Sequence, residues 1–541
     1  MTELSPSGML RDALARHALA EIPKLLTLLD RTPVSPTYGC FDRNHWHYRV
    51  MDFPCGMSQE FVLPLALAWS LDMPGNIYKG QPVLRAWTEA GIRFAARSAH
   101  ADGSCDDYYP FERAAGAAAF SLFACLEAIR ILGIGEDAEI DRFLRLRAGW
   151  LARHRESGRL SNHEALIVAC LARMVERFGG DWEGALRERA SRLLSWQSPE
   201  GWFAEYEGAD PGYLSLTIGL IADADRLRPD LGLREPCRRA IEFLGAMIHP
   251  DGTVGGEYTS RATLNYFPHG LEIAARWMPE ATALNERALQ PLAADSQPCF
   301  SDDRIVGHHL WSWMLAWREW RADRRKPALL PDGRRHFPKA GLLVDARAGH
   351  RLYLGYSRGG AFKLFDGGSL VHSDTGPALR MKNGKVAVTH LHGPVRFSLA
   401  ENEIEIAGRM AWAKSQLLTP AKSILLRTTM LTVGRFFPDL VRRLLQRILV
   451  TGRKDAPFRF RRVLRWEMAG WTVRDEIEAD DGWGDVAAAG IGGFQTSVAT
   501  VMARVWQQGQ FQTWTDLGPE LKALRENKAL SVERRFSGRS S

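Results

Sequence analysis

One glycine-rich stretch, residues 251–272 (DGTVGGEYTSRATLNYFPHGLE), carries an unusual density of side chains that can bind an anion or move a proton. Glycine lets a backbone bend sharply and approach a ligand closely, and binding residues often lie on loops of this kind. The alternative is a surface loop that leads into a helix beginning near Pro268. The candidates for binding or proton transfer in this stretch are Tyr258, Arg261, Asn265, Tyr266 and His269.

A second stretch, residues 160–165 (LSNHEA), predicts the start of a helix. Ser161 followed by Glu164 has the spacing of a capping box, in which the two side chains satisfy backbone N–H groups of the first turn. Asn162 and His163 then lie in that turn, where free N–H groups and the helix dipole favour an anion. The alternative is that the pair only decorates a helix start.

Together, the two stretches fit the cleavage of a uronic-acid glycan by β-elimination. This reaction removes the proton next to a carboxylate, and that proton is very weakly acidic unless the carboxylate charge is neutralised. We expect Asn162, His163 and Arg261 to neutralise the carboxylate, and a tyrosine to act as base, as acid, or as both. The tyrosine pKa, about 10 when unperturbed, would have to be lowered by neighbouring positive charge.

A different set of residues fits glycoside hydrolysis, which uses a pair of carboxyl groups that flank the scissile bond. Asp106 and Asp107 could supply them together with Glu205, Glu207 and Asp210. The segment that holds the last three (GWFAEYEGAD) also offers aromatic rings as a platform for a sugar. Under either reaction, the substrate-binding candidates in this segment are Trp202, Glu205 and Tyr206.

The elements that must position these residues are helices over the first 326 residues. Apolar residues recur at intervals of three and four from about residue 61 to residue 320, which predicts ten or so helices joined by short turns. Turn signals recur every 43 to 55 residues, at 102–103, 157–158, 200–201, 251–252 and 301–302. This spacing predicts an (α/α) toroid of helical hairpins, whose loops at one end would bring 160–165 and 251–272 together.

A proline- and glycine-bearing linker, residues 327–340, is expected to separate this toroid from a second domain at 341–541. Short segments there alternate between apolar and polar residues, which predicts an antiparallel β-sandwich. Residues 423–433 and 494–507 are among the expected strands. An amphipathic basic helix is expected to interrupt the sandwich at 438–450, either docked on the sheet or in contact with a membrane surface.

The overall composition argues against several classes of protein. The 541 residues carry 70 basic and 63 acidic side chains, a net charge of +7, so we expect no nucleic-acid partner. The 7 cysteines lack CxxC spacing, which argues against a disulfide framework. Cys40, His45 and His47 have no second ligand pair at zinc spacing, so we expect no metal and no cofactor.

The N-terminal sequence MTELSPSGMLRDALARHALAEIPKLL has charged residues where a signal peptide needs an uninterrupted apolar core. No apolar run of about 18 residues is evident, so no segment is expected to cross a membrane. These features predict a cytoplasmic protein, with the periplasm as the alternative location.

An Asn-His helix start and a tyrosine-bearing glycine loop on a toroid, followed by a β-sandwich, resemble the heparinase II/III-like proteins and the related alginate lyases. The resemblance implies that Asn162 and His163 neutralise a uronate and that Tyr258, with Tyr266 as its rival, transfers the proton. It also implies that a sandwich histidine, His372 in GGSLVHSDTG, completes the cleft. One departure is Ser161, which stands where the family commonly has a second asparagine.

The resemblance is strongest to members that act in bacterial exopolysaccharide or lipopolysaccharide assembly, and it implies an acidic polysaccharide as substrate. A lyase or an epimerase that abstracts the C5 proton of a uronic acid is therefore the leading hypothesis. The alternatives are a glycoside hydrolase on the same toroid and a non-catalytic glycan-binding protein of a polysaccharide assembly system.

Overall fold

A computed structural model describes residues 6–206, 208–327, 331–413, 419–438, 440–441, 444, 453–493, 514–524 and 529–537. Helices occupy the first part of the chain and antiparallel sheets the second, as the sequence predicts. The helices up to residue 319 are α1 (Pro6–Leu28), α2 (Arg43–Trp46), α3 (Val62–Ser70), α4 (Pro82–Arg97), α5 (Ala115–Leu132), α6 (Ala138–Arg153), α7 (Ser161–Phe178), α8 (Glu183–Leu194), α9 (Pro211–Leu227), α10 (Arg234–Met247), α11 (His269–Ala274), α12 (Glu280–Ala288), α13 (Gln290–Ala293) and α14 (Val306–Glu319).

The helices form a closed (α/α) ring. Within the described residues, the inner helices pack in the order α3, α5, α7, α9, α11 and α14, and α14 returns to α3. Each inner helix also packs against an outer partner: α4, α6, α8, α10, α12 and, for α14, the N-terminal helix α1. Because a hairpin separates each inner helix from the next, the inner helices run in the same direction and begin at the same end of the ring.

Glycines at the recurrent turns set the distance between hairpins. Gly103, Gly201 and Gly252 all have positive φ angles, of 88°, 99° and 84°. A methyl group on any of them would come within 2.4 Å of a backbone atom of an outer helix. Glycine is therefore required here both for the left-handed conformation and for the close approach of the backbone.

Two details of the helical part differ from expectation. Helix α7 begins at Ser161, but the Ser161 hydroxyl bonds Glu205 and no side chain caps the helix, so the predicted capping box does not form. Helix α5 is apolar and long enough to cross a membrane, contrary to the expectation that no such run exists. It lies in the ring with 89% of this 18-residue window buried, so packing accounts for its composition in the part of the chain that the structure describes.

The sheets contain strands β1 (Gly333–Phe337), β2 (Leu342–Arg347), β3 (His350–Gly355), β4 (Ala361–Asp366), β5 (Ser369–Asp374), β6 (Gly376–Met381), β7 (Val386–Val388), β8 (Val395–Leu399), β9 (Glu403–Trp412), β10 (Asp455–Glu467), β11 (Gly470–Ala479), β12 (Val486–Gly492), β13 (Trp514–Asp516) and β14 (Leu530–Ser537). Strands β1 to β5 form one sheet in sequential order. The described strands of the second sheet run β13-β12-β6-β7-β9-β10-β11-β14, with β8 on β9. Strand β1 lies inside the segment that was expected to be a linker.

The five-stranded sheet is the middle layer of the molecule. Alternate residues of its strands point to opposite faces, as the pleat of a strand requires. One face, including Val344 and Tyr353, joins the core of the helical ring, and the other, including Leu352 and Leu364, joins the core against the second sheet. The strands thus form the predicted sandwich and also attach it to the ring.

Residues 423–433, which were expected to be a strand, are helical. Helix α15 covers Pro420–Thr429, and Met430–Gly434 continue it with a π-helical turn. The apolar residues of this segment lie along one continuous helix, but their spacing also fits the alternation expected of a strand. Most of the predicted helix at 438–450 and the whole of 494–507 lie outside the described residues. A further short helix, α16, covers Gly518–Ala523.

Candidate active site

The loops that precede the inner helices meet at one end of the ring. The segment before α7 pairs with the segment before α9 through a β-bridge between Leu160 and Glu205. The loop before α11 joins them, because the Ser260 amide donates to the carbonyl of Ala209 at 3.1 Å. The two stretches that the sequence singled out, 160–165 and 251–272, are therefore brought together through the segment between them.

Glu205 is the centre of the polar cluster at this end. Its carboxylate accepts hydrogen bonds from Asn162 Nδ2 at 2.8 Å and from Ser161 Oγ at 3.1 Å. Arg261 forms an ion pair with the same carboxylate at 2.6 Å. All of these side chains are buried. Sequence analysis predicted Asn162, Glu205 and Arg261 as ligand-binding residues, and the structure brings the three into direct contact.

Two polar atoms of this cluster have no hydrogen-bond partner among the residues that the structure describes. They are Oδ1 of Asn162 and Nε of Arg261. Buried polar atoms are normally paired, so the cluster keeps one unused acceptor and one unused donor.

Tyr213 also contacts Arg261, through its ring. The Arg261 guanidinium carbon is 4.1 Å from the centre of the Tyr213 ring and 5.1 Å from that of Tyr206. Burial raises the pKa of the Tyr213 phenol, while the Arg261 charge and a hydrogen bond from Asn265 oppose the rise. The phenol therefore keeps its proton near neutral pH, which suits a proton donor.

Sequence analysis did not select Tyr213, although a signal for its position exists. Asp210 caps α9 by accepting from the Tyr213 amide at 2.9 Å, and Pro211 occupies the first position of the helix. Asp-Pro is a strong helix-start signal, and it places Tyr213 in the first turn. The same reasoning that selected Asn162 at the start of α7 could have selected Tyr213 at the start of α9.

Backbone strain accompanies the ion pair. Tyr206 follows Glu205 and has a φ angle of 59°, and Ala262 follows Arg261 and has a φ angle of 53°. Residues other than glycine rarely adopt this left-handed conformation, and such residues cluster at functional sites. Each partner of the central ion pair is thus held by a loop with an unfavourable turn directly after it.

His163 begins the same helix as Asn162 but makes different contacts. Its Nδ1 is 2.7 Å from Oε2 of Glu156, and its side chain is 20% exposed. Gly116 in the first turn of α5 makes room for the ring, since a methyl group there would come within 2.5 Å of Cε1. A carboxylate that holds Nδ1–H leaves Nε2 as the basic nitrogen, an arrangement typical of a general base. Glu156 was not selected from the sequence.

Tyr258, the expected proton-transfer residue, lies in packing between the ring and the middle sheet. Its side chain is 1% exposed, and its hydroxyl contacts His249 Nε2 at 2.9 Å. Its ring centre is 6.0 Å from that of Tyr353, and burial raises its pKa well above 10. The structure thus corrects the assignment: this phenol faces an aromatic cluster and has no contact with Asn162 or Arg261.

Three further candidates from the sequence are also packing residues. The Tyr266 hydroxyl donates to Asn285 at 2.5 Å. His269 contacts Ser312 at 2.7 Å inside the ring, where burial lowers its pKa to about 4. Trp202 is buried and donates to Glu200, so it offers no platform for a sugar.

Asn265, in contrast, connects the site to His309, whose Nε2 is 3.1 Å from Asn265 Oδ1.

His372 does not reach the ring end. It lies on β5 opposite Leu364, on the face that points to the second sheet. Its ring stacks on Phe536 with a centre-to-centre distance of 4.5 Å. The period of two along the strand decides this orientation, because the neighbouring Ser373 faces the ring and contacts Glu257 at 3.3 Å. The expectation that His372 completes the cleft is corrected on this point.

The carboxylates proposed for hydrolysis are occupied by structural contacts. Asp106 accepts from the amides of Phe111 and Arg113, and Asp107 forms an ion pair with Arg304 at 2.9 Å. Glu207 lies outside the described residues. Within the described part of the chain, no group of three or more His, Cys, Asp or Glu side chains is arranged to hold a metal ion. Burial raises the pKa of Cys40 to about 12.

Comparison with solved structures finds this architecture in polysaccharide lyases. A xanthan lyase from Paenibacillus superposes with a TM-score of 0.51 and 11% identity, over 90% of this chain and 47% of the lyase. A mutant of the Streptomyces coelicolor A3 chondroitin AC lyase superposes with a TM-score of 0.51 and 11% identity, over 91% of this chain and 73% of that one. The chain has the fold of these lyases.

The chain spans about half the length of the xanthan lyase. A heparan sulfate lyase mutant from Pedobacter heparinus has a TM-score of 0.43 and 11% identity, over 88% of this chain and 70% of that one. No protein-family model and no curated protein sequence matches the chain. The expected toroid and sandwich are confirmed, and the two lyases that superpose with a TM-score of 0.51 share this fold.

Proposed function

We propose that this protein is a polysaccharide lyase that cleaves an acidic polysaccharide, such as a bacterial exopolysaccharide, by abstracting the C5 proton of a uronic acid. One observation carries the proposal: Arg261 contacts both the ring of Tyr213 and the Glu205 carboxylate that also binds Asn162. A carboxylate binder and a proton donor are thereby adjacent at the end of the ring where α7 and α9 begin. The polysaccharide-lyase fold supports the same reading.

Arg261 and Asn162 bind and neutralise the uronate carboxylate. Glu205 uses one guanidinium nitrogen of Arg261 and one amide nitrogen of Asn162, so both side chains keep further donors. The positive ends of the α7 and α9 dipoles add to the attraction for an anion. Neutralising the carboxylate makes the C5 proton acidic enough to be removed. Glu205 acts as a positioning residue that fixes the direction of both donors.

The elimination then needs a base and an acid. Nε2 of His163, oriented by Glu156, accepts the C5 proton, and the C5–H electron pair forms the C4–C5 double bond. The bond from C4 to the glycosidic oxygen breaks, and the Tyr213 hydroxyl donates its proton to the departing oxygen. His163 suits the role of base because Glu156 orients its ring, and Tyr213 suits the role of acid because burial keeps its phenol protonated.

The test is an ultraviolet assay for the unsaturated uronate, with a panel of acidic polysaccharides that includes xanthan, chondroitin sulfate, heparan sulfate and alginate. On the substrate that responds, Tyr213→Phe is expected to lower kcat by at least about 100-fold, because it removes only the transferred proton. His163→Ala is expected to lower kcat similarly. Binding of substrate by Tyr213→Phe, measured by calorimetry, should stay close to that of the parent.

Tyr266→Phe is the matched control, since it removes a buried phenol hydroxyl that lies outside the site. It is expected to keep the parent kcat. Equal loss of activity in both variants, or full activity in Tyr213→Phe, would contradict the assignment. A change in C5 configuration without an unsaturated product would identify an epimerase that uses the same proton abstraction.

A further inference from the structure

The helical insert between β9 and β10 exposes large apolar side chains on its surface. We define the insert as residues 419–444, of which 419–438, 440, 441 and 444 are described. None of the ten residues of α15 is buried. The exposed fractions are 68% for Ile424 and Leu425, 73% for Phe436 and 63% for Phe437. Such a group of neighbouring exposed apolar side chains marks an interaction surface.

The insert is held in a defined position on the ring. Arg427 forms an ion pair with Asp52, and the Arg435 guanidinium lies 5.4 Å from the centre of the Phe111 ring. Met430, on the inner side, is 2% exposed. The contacts on one side and the exposed apolar residues on the other give the insert two distinct faces. Asp52 and Phe111 precede α3 and α5, so the insert lies at the same end of the ring as the candidate active site.

The charge of this part of the chain is strongly one-sided. Between residues 419 and 450 the only acidic residue in the sequence is Asp439. The basic residues of the same stretch are Lys422, Arg427, Arg435, Arg442, Arg443 and Arg447. The chain as a whole is nearly balanced, with 70 basic and 63 acidic residues, so this excess is local.

We propose that the insert docks on the surface of a bilayer that contains anionic phospholipids. Exposed phenylalanine, leucine and isoleucine side chains enter the boundary between headgroups and acyl chains. The basic residues of the stretch other than Arg427 and Arg435, which contact the ring, bind the anionic headgroups. A protein partner with an apolar groove would not need this excess of positive charge. Docking in this way places the end of the ring that holds the candidate active site towards the bilayer.

The experiment is co-sedimentation of the full chain with phosphatidylcholine vesicles, with and without about one-third phosphatidylglycerol. Binding is expected to the anionic vesicles and to fall as salt rises, since screening weakens the headgroup contacts. The double variant Phe436→Ser/Phe437→Ser is expected to bind the anionic vesicles at least about tenfold more weakly, because it removes the inserted apolar area. These residues lie outside the candidate active site, so turnover of soluble substrate should not change.

The matched control is Val34→Ser/Ile77→Ser, which replaces exposed apolar residues of the ring, 91% and 73% exposed. It is expected to bind vesicles like the parent. Failure of the parent to bind anionic vesicles, or equal binding by both double variants, would overturn the proposal. Self-association that Phe436→Ser/Phe437→Ser abolishes, in the absence of vesicle binding, would overturn it in favour of a second copy of this chain as the partner. None of these outcomes depends on lyase activity.

Discussion

The middle of the loop 251–272 and its two flanks carry similar side chains but serve different purposes. In the middle, Arg261 pairs with the Glu205 carboxylate and Asn265 bonds Tyr213 and His309. On the flanks, Tyr258 and His269 are enclosed by aromatic and helical packing. The comparison teaches that a proton-handling side chain becomes a candidate for chemistry when it directly contacts a charged side chain, whereas enclosure by aromatic rings and helices makes it structural.

The flanks are buried because backbone segments approach them closely. A methyl group on Gly355 of β3 would come within 2.1 Å of the Tyr258 carbonyl oxygen, and one on Gly219 of α9 within 2.1 Å of His269 Nε2. The middle of the loop instead lies beside the segment that leads into α9. There Thr259 donates to Asp210, and Arg261 pairs with Glu205. Glycines in distant segments thus decide which part of the loop is enclosed.

The largest effect is expected at the central ion pair. Arg261→Met leaves the buried Glu205 carboxylate without its counter-charge, which is expected to lower the free energy of unfolding by about 3–5 kcal/mol. Adding Glu205→Gln should recover part of this loss, because it removes the unpaired charge. Chemical denaturation of the two variants and the parent measures both effects.

Arg238→Met serves as the control for this pair, since Arg238 forms its ion pairs with Glu235 and Glu242 on the exposed surface of α10. We expect it to unfold like the parent. Equal free energies of unfolding for Arg261→Met and Arg238→Met would contradict the prediction. The buried ion pair in the middle of the loop would then contribute no more to stability than an exposed one.

An intermediate effect is expected from His269 on acidification. Burial lowers its folded-state pKa to about 4, whereas the unfolded value is 6.5. Below pH 6.5 His269 becomes protonated in the unfolded chain but stays neutral in the folded chain. The free energy of unfolding therefore falls as the pH drops towards 4, by about 3 kcal/mol in total. His269→Gln should therefore reduce the stability difference between pH 7 and pH 5 by about 2 kcal/mol.

Urea denaturation of the parent and of His269→Gln at the two pH values measures this difference. An unchanged pH dependence in His269→Gln would show that this flank of the loop is accessible to protons. That result would contradict the conclusion that packing encloses this flank of the loop.

The smallest effect is expected from Tyr258→Phe. The variant loses one buried hydrogen bond, to His249, and should be less stable by about 1 kcal/mol. Its kcat on the substrate identified for the parent should not change, because the phenol lies outside the Glu205 cluster. Thermal unfolding and the ultraviolet assay measure the two quantities, and a loss of kcat as large as that of Tyr213→Phe would return the catalytic role to Tyr258.

Local patterns in the sequence determined the elements of this protein. Apolar residues at intervals of three and four predicted helices from about residue 61 to residue 320, and helices α3 to α14 lie between Val62 and Glu319, since this period specifies one buried helix face. The same rule failed for residues 423–433, where a continuous apolar run also fits a strand. The spacing of the turns predicted the ring, and polar residues at helix starts predicted Asn162 as a site residue.

Only the tertiary structure decided which tyrosine and which histidine belong to the site. The local sequence places Tyr213 in the first turn of a helix and Tyr258 in a glycine-rich loop, but neither position shows which phenol lies beside a charged side chain. What separates them is contact with residues far away in the chain: Arg261 beside Tyr213, and Tyr353 against Tyr258. Similarly, a single step in strand register points Ser373 to the ring and His372 away from it. Burial and neighbouring charge are properties of the folded chain, because they depend on contacts between residues remote in sequence.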